Sequence, residues 1–139
     1  MIQVIQSIFS ALSIDTLLTQ KLTDDGLGNP AIYSSWGLRD SGPYIIISYL
    51  PSNEEYYNQN SMDIQIDIFD RGDQEALSYV RCYEIRQDIV RILDGYKDDF
   101  GGNNIRCYYT SEQPILEDEG RYRRYMISFE SRYNRTFDV

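Results

Sequence analysis

Residues 61–72 read SMDIQIDIFDRG, and residues 74–95 read QEALSYVRCYEIRQDIVRILDG. In the first stretch Met62, Ile64, Ile66 and Ile68 alternate with Asp63, Gln65 and Asp67. Successive side chains of an extended chain point to opposite faces, so this period of two is a strand with one face on a core and the other toward water or a partner. Asp70-Arg71-Gly72-Asp73 supplies a turn, with Asp73 as the N-cap of a helix that runs to Leu93 and stops at Asp94-Gly95. That helix carries two apolar stripes. Ala76, Tyr79, Val80, Tyr83, Val90 and Leu93 share one broad face, while Ile85, Ile92 and Tyr96 lie off it. A surface helix needs only one stripe, so the second is expected to pack on the opening helix or, failing that, on a second subunit.

Upstream, Ile2, Ile5, Ile8, Phe9 and Leu12 recur at helical spacing over Ile2–Leu12. Ser13 is placed to cap a short second helix, Asp15–Leu22, and a loop follows to Pro30. Ala31–Trp36 and Tyr44–Leu50 read as a first strand pair, separated by a turn that ends at Gly42-Pro43. Ile45, Ile46 and Ile47 show no alternation, which predicts a strand covered on both faces. PSNEEYYNQN, residues 51–60, has no aliphatic residue and reads as a long hairpin loop or projecting arm carrying Tyr56 and Tyr57. Downstream, Lys97–Asn104 is a polar loop, and Ile105, Cys107 and Tyr109 alternate with Arg106 and Tyr108 in another strand. After the acidic turn Glu117-Asp118-Glu119-Gly120, Tyr122–Tyr133 directs Tyr125, Ile127, Phe129 and Tyr133 to one side. The expectation is one α+β domain over residues 1–139. Its antiparallel sheet has four to five strands, with two main helices packed on one face in the order α-β-β-β-α-β-β.

Composition narrows the chemistry. The 139 residues carry a net charge of -9, which repels phosphate backbones and acidic membrane faces, so nucleic-acid reading is not expected. Histidine is absent, which removes the usual general base near neutral pH and the commonest metal ligand. Cys82 and Cys107 fall on a helix and a strand without metal-site or redox spacing and read as buried free thiols. No apolar run approaches a membrane span, and Met1–Ser13 lacks the basic segment of a signal peptide, so a cytoplasmic origin is expected. Thirteen tyrosines against five phenylalanines suggest surfaces that are buried by partners yet must stay soluble before meeting them.

Asp63 and Asp67 on one strand face, with Glu130 on a neighbouring strand, are the best candidates for a Mg²⁺ site. They lack any supporting lysine, histidine or phosphate loop, and alternating acids are what any solvated strand face shows. Gly26-Leu27-Gly28-Asn29 lacks the lysine and the strand–turn–helix context of a nucleotide loop and reads as a linker. Arg121, Arg123 and Arg124 sit across one turn from Glu117, Asp118 and Glu119. They pair locally or offer complementary charge to an adjacent copy of the chain. No catalytic residue, metal site or cofactor is expected.

The chain resembles the tail-completion, or tail-terminator, proteins of long-tailed bacteriophages and prophages. The resemblance is carried by IFSALSIDTLLTQKL, GPYIIISY, SMDIQIDIFDRG running into the long helix, and RYRRYMISFESRYN. It implies a structural virion protein that forms a ring, usually a hexamer, at the head-proximal end of the tail. Such a ring ends tail-tube polymerisation and offers the docking surface for the head. The implied partners are further copies of itself, the tail-tube protein and a head-tail connector, with DNA only as passing cargo and no membrane. The implied location is the virion tail, and the host cytoplasm during assembly. A head-side connector or stopper and a monomeric acidic binding or inhibitor protein are the competing readings. The contact regions expected are the arm with Tyr56 and Tyr57, the strand face with Asp63, Gln65 and Asp67, and the turn with Arg121, Arg123 and Arg124. Reversing the charge of Arg123 and Arg124 is expected to impair a ring and spare the monomer.

Overall fold

A computed structural model describes residues 2–34, 42–56, 59–70, 78–98, 104–115 and 123–134. Helix α1 spans Ile2–Ser13 and α2 spans Thr16–Thr19. Strands β1 (Ile32–Tyr33), β2 (Tyr44–Tyr56) and β3 (Gln59–Asp70) follow, then α3 (Ser78–Leu93), β4 (Lys97–Asp98), β5 (Ile105–Ile115) and β6 (Arg123–Asn134). The strands form one sheet in the order β1-β2-β3-β6-β5-β4.

The alternating strand lies at the centre of this sheet. β3 pairs antiparallel with β2 on one side and with β6 on the other, in continuous register with β6 from Gln59↔Asn134 to Asp70↔Arg123. Its apolar face is closed: Met62, Ile64, Ile66 and Ile68 are fully buried with Ile45 and Ile47 of β2 and Tyr125, Ile127 and Phe129 of β6. Each such side chain contributes roughly 1.5–3 kcal/mol by leaving water. Val4, Ile8 and Leu12 of α1, Leu18 of α2, and Cys82, Ile85, Ile89 and Leu93 of α3 complete the same core. All three helices therefore bury against one face of the sheet.

The structure amends the expected architecture in several places. Among the described residues there are six strands, not four to five. The added strand is β4, inside what reads as a polar loop; it pairs Lys97 with Arg106 and Asp98 with Ile105. The first strand pair is parallel, Ile32↔Ile45 and Tyr33↔Ile46, so the sheet is mixed and this connection is no hairpin. The Ile45 N–H donates to the Ala31 carbonyl at 3.0 Å, and Thr23 binds the Pro43 carbonyl through both its N–H and its hydroxyl, which lays the two segments side by side. The arm is largely strand: β2 continues to Tyr56 and pairs with β3 as far as Tyr56↔Gln59, with an irregularity between Pro51 and Glu55. The α2 cap is Asp15, whose carboxylate accepts from the Leu18 N–H at 3.0 Å, not Ser13. The N-cap expected at Asp73 lies outside the described residues.

The stripes of α3 also differ. The buried seam is Cys82, Ile85, Ile89 and Leu93, whereas Val80 and Tyr83 of the broader expected face are about half exposed. Ion pairs tie this helix to its surroundings: Lys21 to Asp88, Arg91 to Asp15 at 2.9 Å, and Arg86 to Glu112 of β5. Tyr125 is buried beside Glu112, and loss of water pushes its phenol up to about 12. Part of the tyrosine excess is thus core, since Tyr44, Tyr125 and Tyr133 are all buried. Cys82 and Cys107 are buried free thiols, pushed up by burial to about 12 and about 11.

One carboxylate works against the fold. Asp70, at the end of β3, is fully buried with no hydrogen bond to either oxygen, and Arg81 Nε stands 3.5 Å away. Burial raises its pKa, with Arg81 only partly opposing the shift. The folded chain therefore holds this proton more tightly than the unfolded chain. The cost is absent below the ordinary carboxylate value and grows as pH rises through the higher folded value. Asp70→Asn should stabilise the protein at pH 7–8 by about 1 kcal/mol in urea unfolding. The gain should shrink toward pH 4, and an unchanged or lowered midpoint at pH 8 would contradict the assignment.

Candidate functional site

Among the described residues no helix lies on the second face of the sheet, and this face can be laid out in four rows from the strand registers. Tyr44, Phe69, Arg124 and Ile115 form the first row; Ile46, Asp67, Met126 and Gln113 form the second. Ser48, Gln65, Ser128 and Ser111 follow, and Leu50, Asp63, Glu130 and Tyr108 make the last. The face changes character along this series.

The first two rows are closed along β2 and β3, where Tyr44, Ile46, Asp67 and Phe69 are buried. Tyr44 stacks on Phe69 with ring centroids 4.9 Å apart, and Tyr33 meets Tyr44 edge-on at 6.1 Å. Ala31 and Ile46 complete this second apolar cluster. The run Ile45-Ile46-Ile47 is thus covered on both faces as expected, and the same chain supplies the second cover. Asp67 belongs to this closed end. It is 0% exposed, which corrects its expected place on a solvated face. Arg124 Nε donates to its Oδ1 at 2.8 Å and Gln65 Nε2 donates to its Oδ2 at 2.8 Å. The Arg124 guanidinium also lies over the Phe69 ring, 5.6 Å from the centroid. Both oxygens of Asp67 are occupied, so it is not a free ligand beside Asp63.

The last two rows are open. They form a groove of about 620 Å³ lined by Ser48, Leu50, Asp63, Gln65, Ser128 and Glu130, with Tyr49 and Thr110 at its margins. Leu50 is 70% exposed at one flank and Tyr108 is 41% exposed at the other. Asp63 and Glu130 face each other directly across the strand pair. Glu130 accepts from Arg132 Nε at 3.0 Å, and that guanidinium covers the Tyr108 ring at 5.2 Å. Among the described residues no group of three or more His, Cys, Asp or Glu side chains is arranged to hold a metal ion.

The residues singled out in the sequence therefore part company. Asp63 and Gln65 share the open face, whereas Asp67 and Arg124 close on each other inside the chain. Arg123 turns to the helix side, with its guanidinium 5.7 Å from the Tyr79 ring centroid. Tyr56 sits in the β2 backbone opposite Gln59, and its side chain is outside the described residues, as are Tyr57, Arg121 and the acids 117–119. Leu50, Ser128 and Tyr108 escape a reading of the sequence, because cross-strand register decides what stands beside Asp63.

The two outer edges of the long strands follow from the same registers. The Ile45 N–H points outward to Ala31, so Ile47, Tyr49 and Pro51 also present their backbone to the outer edge of β2. On β5 the Cys107 N–H points outward to Tyr96. The irregularity between Tyr109 and Ser111 then shifts the alternation, so that Pro114 faces out. Each outer edge thus carries one proline, Pro51 on β2 and Pro114 on β5, with no N–H to offer a further strand.

These features define an α+β protein with a one-sided helical layer, an open acidic groove and no assembled catalytic or metal constellation among the described residues. No protein-family model and no curated protein matches the chain. Among solved structures, a chain from the virion of a native gene transfer agent particle shares the fold with a TM-score of 0.68, covering 91% of both chains at 12% identity. A second solved protein, of unstated role, matches at 0.61 over 96% of both chains at 13% identity. At such identities the likeness carries the fold alone.

The Asp67–Arg124 pair changes what charge reversal at the arginines would do. Removing one partner of a buried pair strands the other charge and typically costs about 3–5 kcal/mol. Arg124→Ala should lower stability by roughly 3 kcal/mol in urea unfolding, and Arg123→Ala by under about 1 kcal/mol. Equal small losses at both positions would contradict the clamp.

Proposed function

We propose that this chain is a structural component of a long-tailed phage or phage-like particle, assembling with other protein chains and catalysing no reaction. Within that role the reading is a homomeric ring at the head-proximal end of the tail, which ends tube polymerisation and receives the head. The observation that carries the proposal is the fold shared over 91% of both chains with a chain of the gene transfer agent virion. The sequence patterns that resemble tail-terminator proteins support the finer role.

The physical features are compatible with it. A head-to-tail interface closes into a ring when its rotation closes, and unlike surfaces on opposite sides of one chain provide such an interface. Here the exposed Val80 and Tyr83 of α3 offer one such surface, while the open sheet face with Asp63 and Gln65 stays available to a different partner. Tyr56, Tyr57, Arg121 and Arg123 remain contact candidates in this proposal. Asp67 and Arg124 serve it only by holding the sheet face in shape. A net charge of -9 would let DNA pass without sticking. Among the described residues no helix is long and apolar enough to cross a membrane.

Light scattering after size exclusion, with negative-stain imaging of the same fractions, tests the ring. The expected result is a closed particle of about six copies with a central hole, formed alone or on addition of tail-tube protein. A monomer that stays monomeric with the tube protein present would refute it. Capping of tube ends separates a terminator from a head-side connector, which would leave the tube free to grow.

A further inference from the structure

Asp63 and Glu130 are direct cross-strand neighbours on the open face, a placement of like charges that disfavours the pairing of their strands. Glu130 has Arg132, but Asp63 is exposed and no cation among the described residues holds it. Among the described residues most cations are already committed. Lys21, Arg81, Arg86, Arg91, Arg124 and Arg132 each already hold a carboxylate of their own chain. Beside the two acids stands the exposed Leu50, in a groove of about 620 Å³. Apolar area left open and like charges left opposed are both costs in the isolated chain, and a single occupant relieves both.

We propose that the groove between Leu50 and Glu130 is a docking surface for a segment of another protein that presents an arginine or lysine flanked by aliphatic side chains. The cation sits between the Asp63 and Glu130 carboxylates, and the aliphatic groups cover Leu50. Charge complementarity selects a foreign partner over a second copy, because six of the nine described basic residues are committed internally. The inference rests on the sheet face alone and holds whether or not the chain assembles in a virion.

The test titrates the whole protein at low ionic strength with the capped pentapeptide LRLRL, and with LQLQL as the uncharged probe. It is read on the methyl resonances of Leu50, with the exposed Leu17 and Leu27 as references. LRLRL should shift Leu50 saturably and leave Leu17 and Leu27 in place. Asp63→Asn should weaken that binding about five-fold, the size of one partly exposed ion pair. The same variant, relieved of the opposed charges, should melt about 1–3 °C higher, which also shows that it folds. Equal binding of LQLQL, shifts shared with Leu17 and Leu27, or unchanged affinity in Asp63→Asn would overturn the proposal. So would a fall in assembled mass in Asp63→Asn, which would make a second copy the occupant.

Discussion

Strand β3 is bonded along both edges, and its two faces are treated differently; the rest of the structure depends on that constraint. Its even-numbered residues close the core with the helices on one side. Its odd-numbered residues pass from a sealed end, Phe69 and Asp67, to an open end, Gln65 and Asp63, over a few residues. A strand position cannot be moved by one step without exchanging these faces, so the long registers with β2 and β6 fix the groove as firmly as they fix the core.

The sealed end shows why a chain with a surplus of acids can still bury one. Asp67 loses water but gains two hydrogen bonds, one of them from a cation that is itself laid on an aromatic ring. Asp70, three residues on, has no such compensation and is a standing cost at neutral pH. Most described cations are spent in comparable internal pairs. On the open rows of the sheet Asp63 is left without a cation among the described residues, beside a Glu130 already held by Arg132.

Much of this was legible in the residues. The alternation of Met62–Phe69 gave the strand and its core face, that of Tyr122–Tyr133 gave Tyr125, Ile127, Phe129 and Tyr133 as buried, and Ile45–Ile47 announced a strand covered twice. The misses share a cause: they depend on what lies across the sheet. Strand direction leaves no local trace, so the two-residue β1 read as half of a hairpin. The polar run after Pro51 read as a loop because its strand state rests on backbone pairing with β3. Alternation told which way Asp67 points but not that Arg124, 57 residues later, would cover it.

Helices on one face and an open groove on the other give the sheet two unlike surfaces. The central claim is that β3 and β6 form a rigid platform on which those surfaces are displayed. Native-state hydrogen exchange tests it most directly. Amides of Ile64, Ile66, Ile68 and Ile127 should exchange only through global unfolding, with protection equal to the full stability, while those of β1 and β4 exchange through local opening. Protection at Ile64 and Ile66 no greater than at Ile32 or Lys97 would contradict the account.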